Sequence, residues 1–450
     1  MESHRRRIEA LVDVVLTPFE RFLSRTSSGG LVLLAATVAA VLLASTLGAD
    51  AVHAFWAETF VLEGAGFRLS LSRHQWVNDG LMALFFLLVG LELKREILVG
   101  ELASMRDATL PVAAAAGGMV VPAAIYASLN AGGPGAAGWG IPMATDIAFA
   151  VGILVVLGDR VPRGLLVFLT ALAIADDLGA VLVIAIFYTG SLDYGALAAA
   201  GGVLGVLALL NAGGVRHPLP YVVGGVALWL QVLASGVHAT LAGIALAACV
   251  PVAAALAPRP FAERAATLQA RWNADLADAS TAEDPLRNDR LSGLASALER
   301  AACQVQSPLQ RMEHALSPWV SFAVVPLFAL ANAGVDVTAV DWSGAWREQV
   351  TLGVFAGLLL GKFAGIALAC WLAIRSGMAR LPSGVAWRHL LGVAWLGGIG
   401  FTMSLFVSQL AFHDDALVEQ ARLGILLASV AASLVGAAWL WRASARNRAP

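Results

Sequence analysis

The stretch GLLVFLTALAIADDLGAVLVIAIFY, Gly164 to Tyr188, decides the fold class of this chain. It is long enough for a membrane-spanning helix, which needs about 20 mostly apolar residues. Near its middle it carries two adjacent aspartates, Asp176 and Asp177. A charged side chain at the centre of a span costs about 2.5–3.5 kcal/mol on the insertion scale, and such groups persist where they line a water-filled path. The pair therefore predicts a proton or cation site inside a membrane.

The composition of the whole chain indicates an integral membrane protein. Hydrophobic residues make up 59% of its 450 residues and charged residues 13%, against about 25% charged residues in soluble domains. The mean hydropathy is +0.76. A net charge of −2 argues against nucleic acid as a partner. The three cysteines predict neither a disulfide framework nor a resident metal site, and we expect no cofactor.

The apolar segments predict an all-α polytopic membrane protein with twelve transmembrane helices. The predicted spans begin near Gly30, Trp76, Leu110, Trp139, Gly164, Tyr194, Leu219, Val237, Trp319, Leu352, Leu390 and Leu423. The expected regions are an N-terminal segment at 1–28, spans one to eight at 29–257, a loop at 258–317, spans nine to twelve at 318–441 and a tail at 442–450. Arginines lie mainly on alternate loops together with the termini, so the positive-inside rule places both termini in the cytoplasm.

Two connections between spans have their own patterns. Residues 58–73, with the sequence FVLEGAGFRLSLS at their centre, alternate apolar and polar side chains around glycines and predict a small external β-hairpin. The hairpin is either a cap or an edge for pairing with a second subunit. Residues 258–307 are polar with mixed charges and predict a cytoplasmic insertion that is partly helical or disordered.

Spans four and eleven are predicted to be interrupted. Span four contains WGIPMATDIAFAVGIL, where Pro142 removes a backbone donor, and span eleven contains WLGGIGFTMSLF with three clustered glycines. Each is the second helix of a three-helix unit, so the equivalent breaks predict inverted-topology repeats whose two interrupted helices cross at a midplane ion site. Asp146 and Lys362 have the right signs to offset the partial charges of the half-helix ends.

The buried charges predict a proton-coupled cation site. Adjacent helical residues point about 100° apart, so Asp176 and Asp177 cannot both face the same group. Two like charges this close cannot both stay ionised without a large cost, which suits exchange of a proton for sodium. Thr145 offers a hydroxyl oxygen nearby. The structural alternative is a carboxylate that pairs with Lys362 only to hold helices together, although buried ion pairs are poor stabilisers.

For other polar residues of the spans, both a structural and a functional interpretation are open. Asp79 opens span two and is either a helix N-cap or part of an ion path. Glu92, Arg95 and Glu96 share one helix face, as a solvated ion-pair cluster or as a cytoplasmic ion funnel. His238 lies at a short helix boundary, where a hydrogen-bonded structural role is the plain interpretation.

The chain resembles the NhaA family of bacterial sodium/proton antiporters. The resemblance rests on NDGLMALFFLLVGLELKRE, IPMATDIAFAVGILVVLGDRVP, ALAIADDLGAVLVIAIFYT, SGVHATLAG, EHALSPWVSFAVVPLFALANAGV, GKFAGI and GGIGFTMSLF. It implies an electrogenic antiporter of the bacterial inner membrane that exports Na⁺ or Li⁺ and imports two protons per cation, for sodium and pH homeostasis. It also implies a homodimer formed through the hairpin.

The resemblance also implies roles for single residues. Asp177 would be the central ion-binding carboxylate, with Asp176 its partner in sodium and proton exchange and Lys362 paired with Asp176. Asp146 and Thr145 would lie where the unwound helices cross. A pH-response cluster would comprise Glu92, Arg95, Glu96, Glu313 and His314, with His238 as a further site of that kind. Gln310 and Ser317 depart from familiar members, which have a lysine and a histidine at these positions.

Three alternatives to an electrogenic antiporter remain at this point. An intramembrane aspartyl protease also needs buried aspartates, but on two helices and in YD and GxGD contexts that differ from IADDLGA and MATDIAF. A passive channel would need a ring of charges or carbonyls rather than proton-competent carboxylates with a lysine partner. An electroneutral exchanger differs from the expected function only in stoichiometry, and Lys362 argues against it only through the resemblance.

Overall fold

The computed structural model describes residues 26–64, 67–190, 192–277 and 288–445. Four predicted regions therefore extend beyond the described residues. The parts that lie outside are 1–25 of the N-terminal segment, 65–66 at the hairpin tip, 278–287 of the polar insertion and 446–450 of the tail.

The described chain is mostly helical. Its helices are α1 (Thr26–Leu47), α2 (Ala49–Ala57), α3 (Met82–Val99), α4 (Met105–Asn130), α5 (Ile147–Leu157), α6 (Arg163–Phe187), α7 (Tyr194–Ala212), α8 (Pro218–Ala234), α9 (Leu241–Cys249), α10 (Pro258–Ala277), α11 (Asp289–Val305), α12 (Pro308–Trp319), α13 (Val325–Asn332), α14 (Trp342–Ala345), α15 (Gln349–Ala356), α16 (Lys362–Arg375), α17 (Trp387–Leu396), α18 (Phe401–Ala411) and α19 (Asp415–Ala445). One α-helical turn (Arg73–Gln75), three π-helical turns (Trp76–Leu81, Val320–Val324, Gly357–Gly361) and three 3₁₀ segments (Glu101–Ala103, Pro134–Met143, Gly158–Arg160) lie between them.

Eight helical segments of the described chain are long and apolar enough to cross a membrane, and a bent pair of helices makes a ninth. These nine correspond to predicted spans one, three to six and nine to twelve. The remaining three predictions fall on α3, α8 and α9. Helix α3 carries four charged residues near its end, while α8 has 17 residues and α9 has 9. The count of twelve spans therefore stays a prediction.

The β-hairpin predicted at residues 58–73 is confirmed. Strands β1 (Thr59–Gly64) and β2 (Phe67–Ser72) pair antiparallel, from Thr59 opposite Ser72 to Gly64 opposite Phe67. The side chains of Phe60, Val61 and Leu62 on β1 are exposed. We call this side of the molecule the hairpin end, and the side with α10 and α11 the insertion end.

Both predicted interruptions occur where glycine and proline cluster. Before α5, residues Pro134–Met143 form a 3₁₀ helix that contains Pro142, and the chain is extended at Ala144 and Asp146. Helices α17 and α18 meet at an angle of 44° across Gly397–Gly400. In each case the backbone leaves the α-helix inside an apolar segment, which leaves free N–H and C=O groups that need partners.

Glycines bring α16 and the turn before it against α4 with the backbones in contact. Gly357, Gly361 and Gly365 recur every four residues, a spacing that lets membrane helices approach closely. A Cβ atom at Gly361 would lie 2.8 Å from Pro122 Cα, and one at Gly365 would lie 2.1 Å from the carbonyl oxygen of Gly117. This contact sets the position of Lys362, the first residue of α16.

Candidate functional site

The aspartate pair lies on α6, among buried apolar residues. Asp176 and Asp177 are each 1% exposed. Their helix contributes to a cluster of buried apolar residues that also draws on α1, α3 to α5, α13 and α15 to α19. The two carboxylates have different neighbours, because successive residues of a helix point in different directions.

Asp176 pairs with Lys362. The Nζ of Lys362 lies 2.5 Å from Oδ2 of Asp176, and Lys362 is 1% exposed. The π-helical turn Gly357–Gly361 directly precedes this lysine. A π-helical turn adds a residue to an α-helix and so changes the direction of the side chains that follow it. The turn and the glycine contact with α4 together aim the ammonium group at α6.

Asp177 has no such partner. Both of its carboxylate oxygens are buried and have no hydrogen-bond partner among the described residues. The charges of Asp176, Asp146 and Lys362 all act on it. A buried carboxylate without donors is costly unless it takes up a proton or binds a cation. The side chains of Asp176, Asp177 and Thr145 carry oxygen atoms, which suit sodium as transported cargo. Within the described residues there is no cluster of three or more His, Cys, Asp or Glu side chains that could hold a resident metal.

Asp146 caps the N-termini of two helices at once. As the N-cap of α5, its Oδ1 accepts a hydrogen bond from Phe149 N at 3.1 Å. Its Oδ2 accepts from the backbone N of Thr402 at 3.1 Å and from the Thr402 hydroxyl at 2.5 Å, both in the first turn of α18. Its own N–H donates to Ile399 O at 2.6 Å. One carboxylate therefore faces the positive ends of two helix dipoles.

Hydroxyl groups satisfy further backbone groups where the two interruptions meet. The Thr145 hydroxyl donates to Gly397 O at 2.9 Å, and the Ser404 hydroxyl donates to Ile141 O at 2.8 Å. The structure thus brings Asp146, Thr145 and the glycines of the second break together, as expected. Thr402 and Ser404 were not predicted as site residues from the sequence, although both lie in the segment GGIGFTMSLF. Hydroxyl residues directly after a glycine break in an apolar segment were the available signal.

A charged cluster lies at the insertion end. Arg95 lies 3.3 Å from Glu96 and 3.4 Å from Glu313 of α12. Glu92, one turn away on α3, interacts electrostatically with these three groups. His314 is exposed on α12 next to Glu313. The structure therefore brings four of the predicted cluster residues together, with His314 beside them.

Lys94, the other lysine of the chain, links α3 to α9. Its Nζ donates to the carbonyl oxygens of Ala248 and Val250 at 2.7 Å each and of Ala247 at 3.3 Å. These carbonyls end α9, so a cation completes the negative end of that helix.

His238 lies before α9, at the opposite end of that helix from Lys94. Its Nε2 lies 2.5 Å from the carbonyl oxygen of Tyr188, at the C-terminus of α6. The Tyr188 hydroxyl in turn donates to Ala137 O at 2.8 Å, in the 3₁₀ segment before α5. The structure therefore separates His238 along α9 from the Arg95 cluster and connects it to one of the interrupted helices.

The N-cap interpretation of Asp79 is wrong. Asp79 lies inside the π-helical turn Trp76–Leu81, and the helical segment starts earlier. Its N-cap is Ser72, which forms a reciprocal capping box with Gln75. A capping box at the start of α12 also explains Gln310, whose side chain accepts from Ser307 N while Ser307 Oγ accepts from Gln310 N.

Two loop carboxylates differ from those of the spans. Asp336 and Asp341, between α13 and α15, have pKa values below the usual range because the hydroxyls of Thr338 and Ser343 donate to them. Asp341 is exposed and Asp336 is partly exposed. They therefore remain ionised at neutral and alkaline pH and cannot exchange protons there.

Comparison with known proteins identifies the family. Residues 20–440 match the family Na⁺/H⁺ antiporter 1. The chain belongs to this family. Three relatives, each named Na⁺/H⁺ antiporter NhaA, come from Syntrophobacter fumaroxidans, Acidithiobacillus ferrooxidans and Oleidesulfovibrio alaskensis. They are 56%, 53% and 48% identical over 441, 433 and 442 residues, which is 98%, 96% and 98% of this chain and 93%, 99% and 96% of the relatives.

Membership of the Na⁺/H⁺ antiporter 1 family confirms the resemblance stated from the sequence. The family is one of transporters, so the intramembrane protease is no longer an alternative. The helices of this chain expose large apolar side chains, among them Leu42, Val223 and Leu434, as expected for a Na⁺/H⁺ antiporter that crosses a bilayer several times.

Proposed function

We propose that this protein exports Na⁺ or Li⁺ in exchange for protons, with Asp177 as the site that both ions occupy in turn. The observation that carries the proposal is the contrast on α6. Asp176 is held by Lys362, whereas the two carboxylate oxygens of Asp177 are buried without a hydrogen-bond partner among the described residues. A proton and a cation compete for these oxygens, so the two fluxes are coupled without a separate gate.

Lys362 makes the exchange electrogenic in this proposal. When a cation binds between the two aspartates, Asp176 turns toward it and its ion pair with Lys362 breaks. Lysine can release a proton once it is buried without a counter-charge, which arginine cannot do. The site thus loses protons from both Asp177 and Lys362 for each cation bound, and the return step carries them inward. An electroneutral exchanger would keep the Lys362 charge constant.

Alternating access in this proposal rests on twelve spans with inverted repeats. In support of it, each interruption is a non-α segment followed by a half-helix. Asp146 is the N-cap of α5 and accepts a hydrogen bond from Thr402 N in the first turn of α18. The first helices of the two units, α4 and the segment α15–α16, also pack together through glycines. We place both termini in the cytoplasm of a bacterium, from the arginine distribution. The hairpin end then faces outward.

Exchange in everted membrane vesicles tests the ion site. Vesicles from a host without its own Na⁺/H⁺ antiporters, acidified inside by respiration, should lose their pH gradient when Na⁺ or Li⁺ is added. Asp177→Asn should abolish this response. Asp336→Asn is the matched control, because it neutralises a partly exposed loop carboxylate, and it should behave as the wild type. Normal exchange by Asp177→Asn would refute the proposed site.

Clamping the membrane voltage separates electrogenic from electroneutral exchange. With potassium and valinomycin holding the voltage at zero, electrogenic exchange should slow relative to vesicles that are inside-positive. Lys362→Met should remove the voltage dependence of any exchange that remains. A rate independent of voltage in the wild type would favour the electroneutral alternative.

We further propose that the charged cluster at the insertion end and His238 tune the pH response. The support is the Arg95 pairs with Glu96 and Glu313, and the link from His238 through Tyr188 to the 3₁₀ segment. Arg95→Gln should shift the pH at which exchange is half-maximal, whereas Arg106→Gln, outside the cluster, should not. Equal profiles for wild type and Arg95→Gln would contradict a regulatory role.

We also propose a homodimer through the hairpin. Strand β1 exposes apolar side chains. One of its edges has no partner strand among the described residues, and such an edge can pair with a second copy. Val61→Cys, in a chain whose native cysteines are replaced, should cross-link two copies in the membrane. Val206→Cys on α7 exposes a similar side chain to lipid and should not. Absence of the Val61 cross-link would argue against this interface.

A further inference from the structure

Thr402 gives Asp146 more than a helix cap requires. Its backbone N–H, 3.1 Å from Asp146 Oδ2, already satisfies the free donor at the start of α18. Its hydroxyl adds a second and shorter hydrogen bond, 2.5 Å long, to the same oxygen. Thr402 is buried, with 4% of its surface exposed. The hydroxyl therefore acts on the carboxylate, not on the start of the helix.

The other hydroxyl groups at the crossing make different hydrogen bonds. Ser404 donates to Ile141 O, and Thr145 donates to Gly397 O. Ser429 accepts from Phe401 N. Each of these groups serves a backbone atom of the interrupted helices. Among the described residues, the side chain that donates a hydrogen bond to the Asp146 carboxylate is that of Thr402.

Asp146 and Asp177 are both buried, with 2% and 1% of their surfaces exposed, and they lie close enough for their charges to interact. Asp146 accepts hydrogen bonds from Phe149 and Thr402, which lie in the first turns of α5 and α18. These donors keep both of its oxygens engaged. A fixed negative charge near Asp177 attracts a cation without becoming one of its ligands.

We propose that Thr402 is a positioning residue for the transported cation: its hydroxyl holds Asp146 at the crossing of the interrupted helices, as a fixed charge that strengthens Na⁺ binding at Asp177. The proposal rests on the assignment of Asp177 as the ion site. Without the hydroxyl, Asp146 Oδ2 keeps a single backbone donor. The carboxylate then moves or is neutralised, and the attraction that it exerts on the cation weakens.

Thr402→Val tests the proposal, with Thr402→Ser as the matched control. Valine keeps the β-branched shape and the backbone N–H and removes only the hydroxyl, whereas serine keeps the hydroxyl. In vesicles we expect the apparent KM for Na⁺ to rise about tenfold with valine, equivalent to about 1.4 kcal/mol, with Vmax within about twofold of the wild type. Serine should restore the wild-type KM. Should Thr402→Val not accumulate as folded protein, Thr402→Ala supplies the hydroxyl-free variant.

A double-mutant cycle with Asp146→Asn shows whether Thr402 acts through Asp146. Sodium binding by purified protein is measured as the rise in unfolding temperature with Na⁺ concentration, which needs no transport. If Thr402 acts through Asp146, Thr402→Val weakens Na⁺ binding in the wild type and has little further effect in Asp146→Asn. An unchanged KM in Thr402→Val, a serine variant that behaves as valine, or a full effect of valine in the Asp146→Asn background would overturn the proposal.

Asp177→Asn separates this outcome from failure of the proposed ion site. It should abolish Na⁺-dependent stabilisation whatever Thr402 does. If Asp177→Asn still binds Na⁺ normally, the ion site itself is misassigned. If Asp177→Asn loses Na⁺ binding while Thr402→Val keeps it unchanged, the ion site stands and the role of Thr402 is refuted.

Discussion

Replacing Lys362 by methionine should destabilise the folded protein by about 3–5 kcal/mol, although the change makes the core more apolar. Lys362 and Asp176 are 2.5 Å apart and each is 1% exposed, so solvent does not screen the pair. Methionine keeps much of the apolar stem that packs near Gly118. It leaves Asp176 as a buried charge without its counter-charge, and breaking a buried pair in this way costs about 3–5 kcal/mol.

The double variant Lys362→Met/Asp176→Asn isolates the cause. Removing both charges should restore most of the lost stability, because a buried ion pair contributes little compared with neutral groups of similar volume. Thermal unfolding in detergent at pH 8, followed by tryptophan fluorescence, measures all three proteins. Wild-type stability in Lys362→Met, or a double variant less stable than the single one, would refute the reasoning.

Further predictions concern packing, capping and the other carboxylates. Gly117→Ala should destabilise the protein by about 1–3 kcal/mol, because the new Cβ would lie 2.3 Å from a carbonyl oxygen of α16. Gly201→Ala, where a Cβ would meet no atom within 4 Å, should instead stabilise it by about 0.5–1 kcal/mol. Thermal unfolding of the two variants measures both changes. Lys94→Met should cost about 1.5 kcal/mol through the lost bonds to the end of α9, while Lys94→Arg should cost less. Asp177→Asn should stabilise the protein and Asp146→Asn should destabilise it.

The sequence predicted best those features that depend on residues with a high energetic cost inside a membrane. Two aspartates within an apolar segment and a lone lysine in another predicted the buried site, because such residues are expensive in a membrane. Glycine and proline predicted both interruptions for a similar reason. Proline removes a backbone hydrogen bond and glycine removes side-chain packing, so both weaken a helix at their position. The alternation of apolar and polar residues between spans one and two predicted the hairpin.

Contacts between distant segments could not be predicted in the same way. Nothing local in FTMSLF indicates that Thr402 meets Asp146, 256 residues away. The π-helical turn before Lys362 also has no simple sequence signature, although it sets the direction of that side chain. The N-cap interpretation of Asp79 failed because Ser72, several residues earlier, forms a capping box with Gln75. Each of these features depends on which segments pack together.

The number of donors on each carboxylate explains why Asp177→Asn and Asp146→Asn should change stability in opposite directions. Asp146 accepts three hydrogen bonds and faces two helix N-termini, and an amide in its place loses the charge that strengthens them, at about 2–4 kcal/mol. Asp177 accepts none within the described residues, so an amide there removes an uncompensated charge, with a gain of about 1–3 kcal/mol at alkaline pH. Thermal unfolding of both variants in sodium-free buffer measures the two signs. If both variants shift the unfolding temperature in the same direction, donor number does not distinguish the fixed charge from the exchange site.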